Sequence, residues 1–154
     1  MKVTLKNVKY AEFQSHETSC FSATIYMDGK STGTSASNGG YGGCHEYWGG
    51  DAHKRLTEYA KTLPKIKTNF DLDGEPFYME QDADSLVDAA LNEFLTQRDL
   101  KRMCSTKTCF RIPNETYKEG EYHTLKNKFS PEAKAFLINK YGPDVFILNE
   151  ELSK

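Results

Sequence analysis

Leu86, Val87, Ala90, Leu91, Phe94 and Leu95 recur at three- and four-residue intervals. That spacing places them on one broad apolar face of a helix and predicts a helix from about residue 83 to 103. Asp82 and Asp84 suit its positive N-terminal end, and Arg98, Lys101 and Arg102 suit its negative C-terminal end. Residues 19–27 form the clearest strand, with Phe21, Ala23, Ile25 and Met27 alternating with Ser22, Thr24 and Tyr26 in the period of a strand. Asp28-Gly29 follows directly and predicts a type I′ turn, with the chain returning through residues 30–37.

Residues 3–13 alternate in two opposed phases, Val3 and Leu5 against Val8 and Tyr10. A bulge near Lys6-Asn7 would join the halves into one strand and make residues 2–37 a three-stranded antiparallel sheet. Asp51 is placed to cap a helix over residues 52–63, whose stripe is Leu56, Tyr59, Ala60 and Leu63 and whose stop is Pro64. Residues 65–81 read as a connection with a short strand around Ile66 to Phe70. Strands are expected at 107–112 and 121–126. A third helix should start at Ser130-Pro131 and stop at Gly142-Pro143, and a final, internal strand is expected at Val145–Leu148. Helices and strands do not alternate regularly, so the expected class is α+β, with 1–154 as a single domain.

A chain of this length buries roughly 68–70% of its unfolded surface, enough to fold without metal or disulfide staples. With 38% apolar, 12% aromatic and 27% charged residues it is not a disordered composition. The N-terminus has no unbroken apolar stretch, and Val145-Phe146-Ile147-Leu148 falls far short of the roughly 20 residues of a membrane span. A cytoplasmic protein without membrane contact is therefore expected, with Cys20, Cys44, Cys104 and Cys109 reduced.

Gly39-Gly40-Tyr41-Gly42-Gly43 is the most conspicuous local feature. It fits neither the Walker pattern nor the dinucleotide fingerprint, so it reads as a packing loop or as a binding loop that offers Tyr41 and Trp48. Cys44, His45, Cys104 and Cys109 carry the donor types of a zinc site without its paired spacing; the alternative is small buried thiols. His16, His45, His53 and His123 are the available general bases, and no motif gives any of them a nucleophile. Neither a catalytic residue, nor a metal, nor a cofactor is expected, and a small enzyme or metal protein centred on Cys44 and His45 stands as an alternative.

Charge is the more informative signal. Residues 69–97 contain no lysine or arginine but hold Asp71, Asp73, Glu75, Glu80, Asp82, Asp84, Asp88 and Glu93 among Phe70, Phe77 and Tyr78. Arg98, Lys101, Arg102, Lys107 and Arg111 then reverse the sign, with Lys126 and Lys128 further on. The net charge of −2 excludes a generally basic nucleic-acid coater. An acidic, aromatic surface built on Asp71, Asp73, Glu75, Phe77, Tyr78 and Glu80 suits a basic protein surface. The basic cluster suits phosphates, and both clusters also fit plain solvated faces.

Lys2–Lys30 in its segments Lys2-Val3-Thr4-Leu5-Lys6-Asn7 and Phe21-Ser22-Ala23-Thr24-Ile25-Tyr26-Met27-Asp28-Gly29-Lys30, the loop Ser37-Asn38-Gly39-Gly40-Tyr41-Gly42-Gly43, and Phe146-Ile147-Leu148-Asn149 carry a resemblance. As a set they resemble small uncharacterised proteins of bacteriophages and prophages. The resemblance transfers no residue role. It implies a bacterial cytoplasm and action on a host factor, in the manner of inhibitors of CRISPR and other defence systems. The expected function is thus a non-catalytic, phage-encoded protein that binds a host protein or ribonucleoprotein complex. A nucleic-acid-binding accessory protein using residues 98–111 is the alternative.

Overall fold

The computed structural model describes all 154 residues, Met1–Lys154. The class is α+β, in two compact units, Met1–Phe94 and Leu95–Lys154. No helix is long and apolar enough to cross a membrane.

The first unit is built on an antiparallel sheet of strands β1 (Val3–Tyr10), β2 (Cys20–Met27), β3 (Lys30–Gly39) and β4 (Glu46–Trp48), in that spatial order. The expected bulge in β1 exists: the register with β2 shifts between Lys6 and Lys9, and Asn7 takes φ 54°, a left-handed conformation that Asn tolerates. Phe21, Ala23, Ile25 and Met27 are all buried, so the alternation of β2 sets its inner face. The sheet has four strands rather than three. Only three residues of β4 pair, Glu46, Tyr47 and Trp48 against Ser37, Ala36 and Ser35, too few to carry a periodic signal.

Helix α1 (Ala52–Ala60) buries Ala52, Leu56 and Ala60 and ends earlier than residue 63. Asp51 does not cap it through its side chain; its carboxylate instead lies 3.7 Å from Arg55. The amide of Ala52 donates to Thr34 Oγ1 of β3, at 3.2 Å. The segment read as a connection is a hairpin of β5 (Ile66–Leu72) and β6 (Glu75–Met79) around an Asp73-Gly74 turn, both residues at positive φ.

Helix α2 (Ala83–Thr106) overruns the expected end at 103 and contributes its residues up to Phe94 to the first unit. Asp82 and Ser85 cap its start reciprocally: Ser85 N donates to Asp82 Oδ1 (2.8 Å) and Asp82 N to Ser85 Oγ (2.9 Å). Val87, Ala90 and Leu91 of its stripe are buried. Full burial of side chains such as Ile25, Leu56, Val87 and Leu91 contributes about 1.5–3 kcal/mol each.

In the second unit, β7 (Thr108–Arg111) is the central strand between β8 (His123–Leu125) and β9 (Phe146–Ile147). Helix α3 (Pro131–Tyr141) starts as its sequence predicts, with Ser130 Oγ accepting from Ala133 N at 3.1 Å. Phe110, Leu137 and Ile147 form one buried cluster, and Leu100, Cys109 and Leu148 a second. The expected internal strand at 145–148 is corrected on two counts. It pairs on one side only, as an edge strand, and Leu148 opens the short helix α4 (Leu148–Glu151). That turn of direction brings Asn149 inward to satisfy the Cys109 backbone amide.

Candidate functional site

The acidic and aromatic residues singled out in the sequence fall on the β5–β6 hairpin or at its end. Asp71, Asp73 and Glu75 surround the turn, Phe77 and Tyr78 lie on β6, and Glu80 follows it. Lys65 pairs with Glu80 at 3.2 Å and Gln81 Nε2 donates to Pro64 O at 2.8 Å, which closes the hairpin's base. Beyond that base, every strand residue except the partly covered Thr68 is exposed.

Ile66 pairs with Met79 and Leu72 with Glu75; strand alternation puts Phe77 on the same face. One face therefore presents Ile66, Leu72, Phe77 and Met79, and the other Lys67, Asp71, Pro76 and Tyr78. Phe70 is 75% exposed, Leu72 63% and Met79 54%. Ile66, Leu72 and Met79 were not singled out as contact residues. The Asp73-Gly74 dipeptide, the same signal as Asp28-Gly29, would have found the hairpin that carries them.

Neither edge of this hairpin suits strand addition. Pro76 removes a donor from β6, and the register of β5 shifts between Lys67 and Asp71. There Thr68 Oγ1 accepts from Phe70 N (3.2 Å) and donates to Phe77 O (2.8 Å). What remains available is side-chain surface on two faces.

Around the glycine loop the chain is tightly organised. Gly40 O accepts from the amides of His16, Glu17 and Thr18, at 3.0, 3.0 and 3.4 Å. Tyr41 stands 73% exposed with its ring stacked on His16, and Trp48 is exposed on β4. His45, next to the loop, is buried, its Nδ1 3.2 Å from Asn38 Nδ2 and its Nε2 3.0 Å from Asp88 Oδ1. Asp84 of α2 accepts from His45 N (2.8 Å) and from Tyr47 OH (2.7 Å). Asp84 and Asp88, read from sequence as surface charges, are thus hydrogen-bond partners of β4 and the residue before it.

Burial works against a charge on His45, but the Asp88 hydrogen bond and the charges of Asp88, Asp84 and Asp82 outweigh it and raise the pKa above its ordinary value. Burial and the Asp84 hydrogen bond push Tyr47 far upward as well. Both imidazole nitrogens of His45 are engaged, leaving none to activate the exposed Cys44. His53 stacks on Tyr47, and His123 contacts Glu115 at 3.0 Å.

In the second unit Cys104 packs against the cluster containing the buried Cys109. Burial and contact with Cys109 push its thiol up to about 12, the environment of an unreactive thiol. All four cysteines are free, and no group of three or more His, Cys, Asp or Glu side chains is gathered to hold a metal ion. The basic residues have diverse partners. Arg98 pairs with Asp99 at 3.0 Å. Arg111 donates to Glu121 O (3.0 Å) and lies over the Tyr122 ring at 4.2 Å. Arg102 and Lys107 are exposed. Lys101 and Lys128 line one cavity of about 340 Å³ with Ser105 and Ser153.

Comparison with protein-family models, with curated proteins and with solved structures finds no match to this chain.

Proposed function

We propose that this chain is a non-catalytic binding protein whose β5–β6 hairpin engages a host protein or nucleoprotein complex, in a phage-encoded, counter-defence setting. The observation that carries the reading is the exposure of large apolar side chains along both strands of one hairpin. A two-stranded hairpin that leaves this much apolar surface exposed is marginally stable in water, and a concentrated apolar surface of this kind is the usual mark of an interaction site. The turn end adds Asp71, Asp73 and Glu75 with no basic residue between them. The fitting partner surface is therefore an apolar depression rimmed by lysine or arginine, such as a surface that otherwise takes phosphates.

Asp71 and Glu75 are exposed, so charge reversal there leaves folding intact, and Asn at position 73 removes the charge while tolerating the positive φ of the turn. Affinity capture from bacterial lysate with the full chain is expected to yield a stoichiometric partner. The triple variant Asp71→Lys, Asp73→Asn, Glu75→Lys should retain at least about tenfold less of it. Capture of no stoichiometric partner across several hosts, or undiminished capture by the variant, would sink the proposal.

A second reading rests on Lys101 and Lys128 converging on one cavity, as a backbone contact for nucleic acid. Its mark in the same experiment is nucleic acid that co-purifies at low salt, leaves as salt rises, and is insensitive to the hairpin substitutions.

A further inference from the structure

The hydrogen bonds around Asn38 fix where the proton of His45 sits. Gly40 N can only donate, and it donates to Asn38 Oδ1 at 2.8 Å; Thr18 Oγ1 reaches the same oxygen at 2.6 Å. Asn38 Nδ2 must then be the donor, to Gly43 O at 3.2 Å and toward His45 Nδ1 at 3.2 Å. So Nδ1 accepts and Nε2 carries the hydrogen, which it donates to Asp88 Oδ1 at 3.0 Å. The pattern is complete only for the neutral ring.

A second proton would go on Nδ1 and point at the Asn38 NH₂ group. Turning the Asn38 amide over does not help. Its NH₂ would then face Gly40 N–H, and its oxygen would face Gly43 O. Both orientations break contacts that hold residues 39–43. Meanwhile the charged ring itself is welcome in the fold. Asp88 and Asp84 face it from α2 with Asp82 just before that helix, Tyr47 with His53 behind it from β4 and α1, and the uncharged Phe21 edge from β2. Glu17 lies against Gly42 on the far side of the loop.

We infer that the Asn38–His45 contact is a proton-controlled latch, holding the glycine loop and Tyr41 in place while the ring is neutral and releasing them when it is charged. The sign of the stability effect separates a latch from simple acid unfolding. A histidine whose folded pKa is raised contributes stability that is full below about pH 6.5 and is lost as pH rises through the folded value. Charging His45 therefore leaves the first unit folded, and only the loop yields.

The test is amide exchange by NMR on the full chain at about pH 8 and about pH 5.5, corrected for intrinsic rates. At the higher pH, ¹⁵N spectra should place the His45 proton on Nε2. At the lower pH, the amides of Gly40, Gly42, His16 and Glu17 should exchange about tenfold faster relative to those of β2. His45→Gln should abolish that pH response. A proton on Nδ1 at the higher pH, or loop protection that does not change with pH, would overturn the latch. An equal pH response in His45→Gln would do the same.

Discussion

Asn149→Ala should destabilise the second unit by about 3 kcal/mol, among the largest effects open to truncation of a single buried polar side chain. Asn149 is buried, and one amide serves three backbone groups. Its Oδ1 accepts from Cys109 N at 2.8 Å, and its Nδ2 donates to Cys104 O at 3.0 Å and Lys107 O at 2.9 Å. It thereby ties the end of α2 to the start of β7 across the turn between them. Truncation leaves a buried N–H and two carbonyls to find other partners, each at a cost of about 1–3 kcal/mol when buried and unmet. Asn149→Asp keeps the acceptor for Cys109 but sets a carboxylate against two carbonyls, so it should be no better tolerated. Urea unfolding followed by a probe in the second unit checks both. A loss under about 1 kcal/mol for Asn149→Ala would mean that the clamp is dispensable.

In the first unit the corresponding position is Gly40. Its φ is +87°, and a Cβ built there collides with the carbonyl oxygen of Gln14. That backbone cannot retreat freely, because Gly40 O is held by three amides of residues 16–18. Gly40→Ala should therefore cost about 2–4 kcal/mol, above the ordinary penalty for a side chain at positive φ. Gly39→Ala, one residue earlier, is the control: a Cβ there meets nothing within 4 Å. It should change stability by less than about 0.5 kcal/mol in the same thermal unfolding comparison.

The adjacent glycines illustrate what a sequence does and does not disclose. Glycine richness marks residues 39–43 as special, but only the fold tells which glycine lies under another strand of backbone. Strong local signals were legible: the alternation of β2, the Asp28-Gly29 turn, the stripe of α2 and the Ser130-Pro131 helix start all correspond to what forms. Where the signal is short or contradictory it misleads. β4 has three residues and no room for a period. Pro76 demotes β6 although it occupies a two-stranded ribbon whose edge needs no partner. Val145–Leu148 is as apolar as an internal strand, yet it pairs on one side only and runs on into a helix, which places Asn149 where it meets the amide of Cys109, a contact no local pattern announces.

The candidate surface was partly legible for a similar reason. The run without lysine or arginine is visible in one dimension, and the hairpin gathers its first half, from Asp71 to Glu80, around one turn. The second half of the run has another use. Asp84 and Asp88 serve β4 and His45, a pairing between residues about forty positions apart that no local pattern announces.

Hydrogen exchange of the chain alone and saturated with its captured partner tests the binding account most directly. Amides of Ile66–Met79, exposed and weakly held in the free chain, should gain the largest protection on binding. Protection concentrated over residues 98–111, with the hairpin exchanging as fast as before, would contradict it.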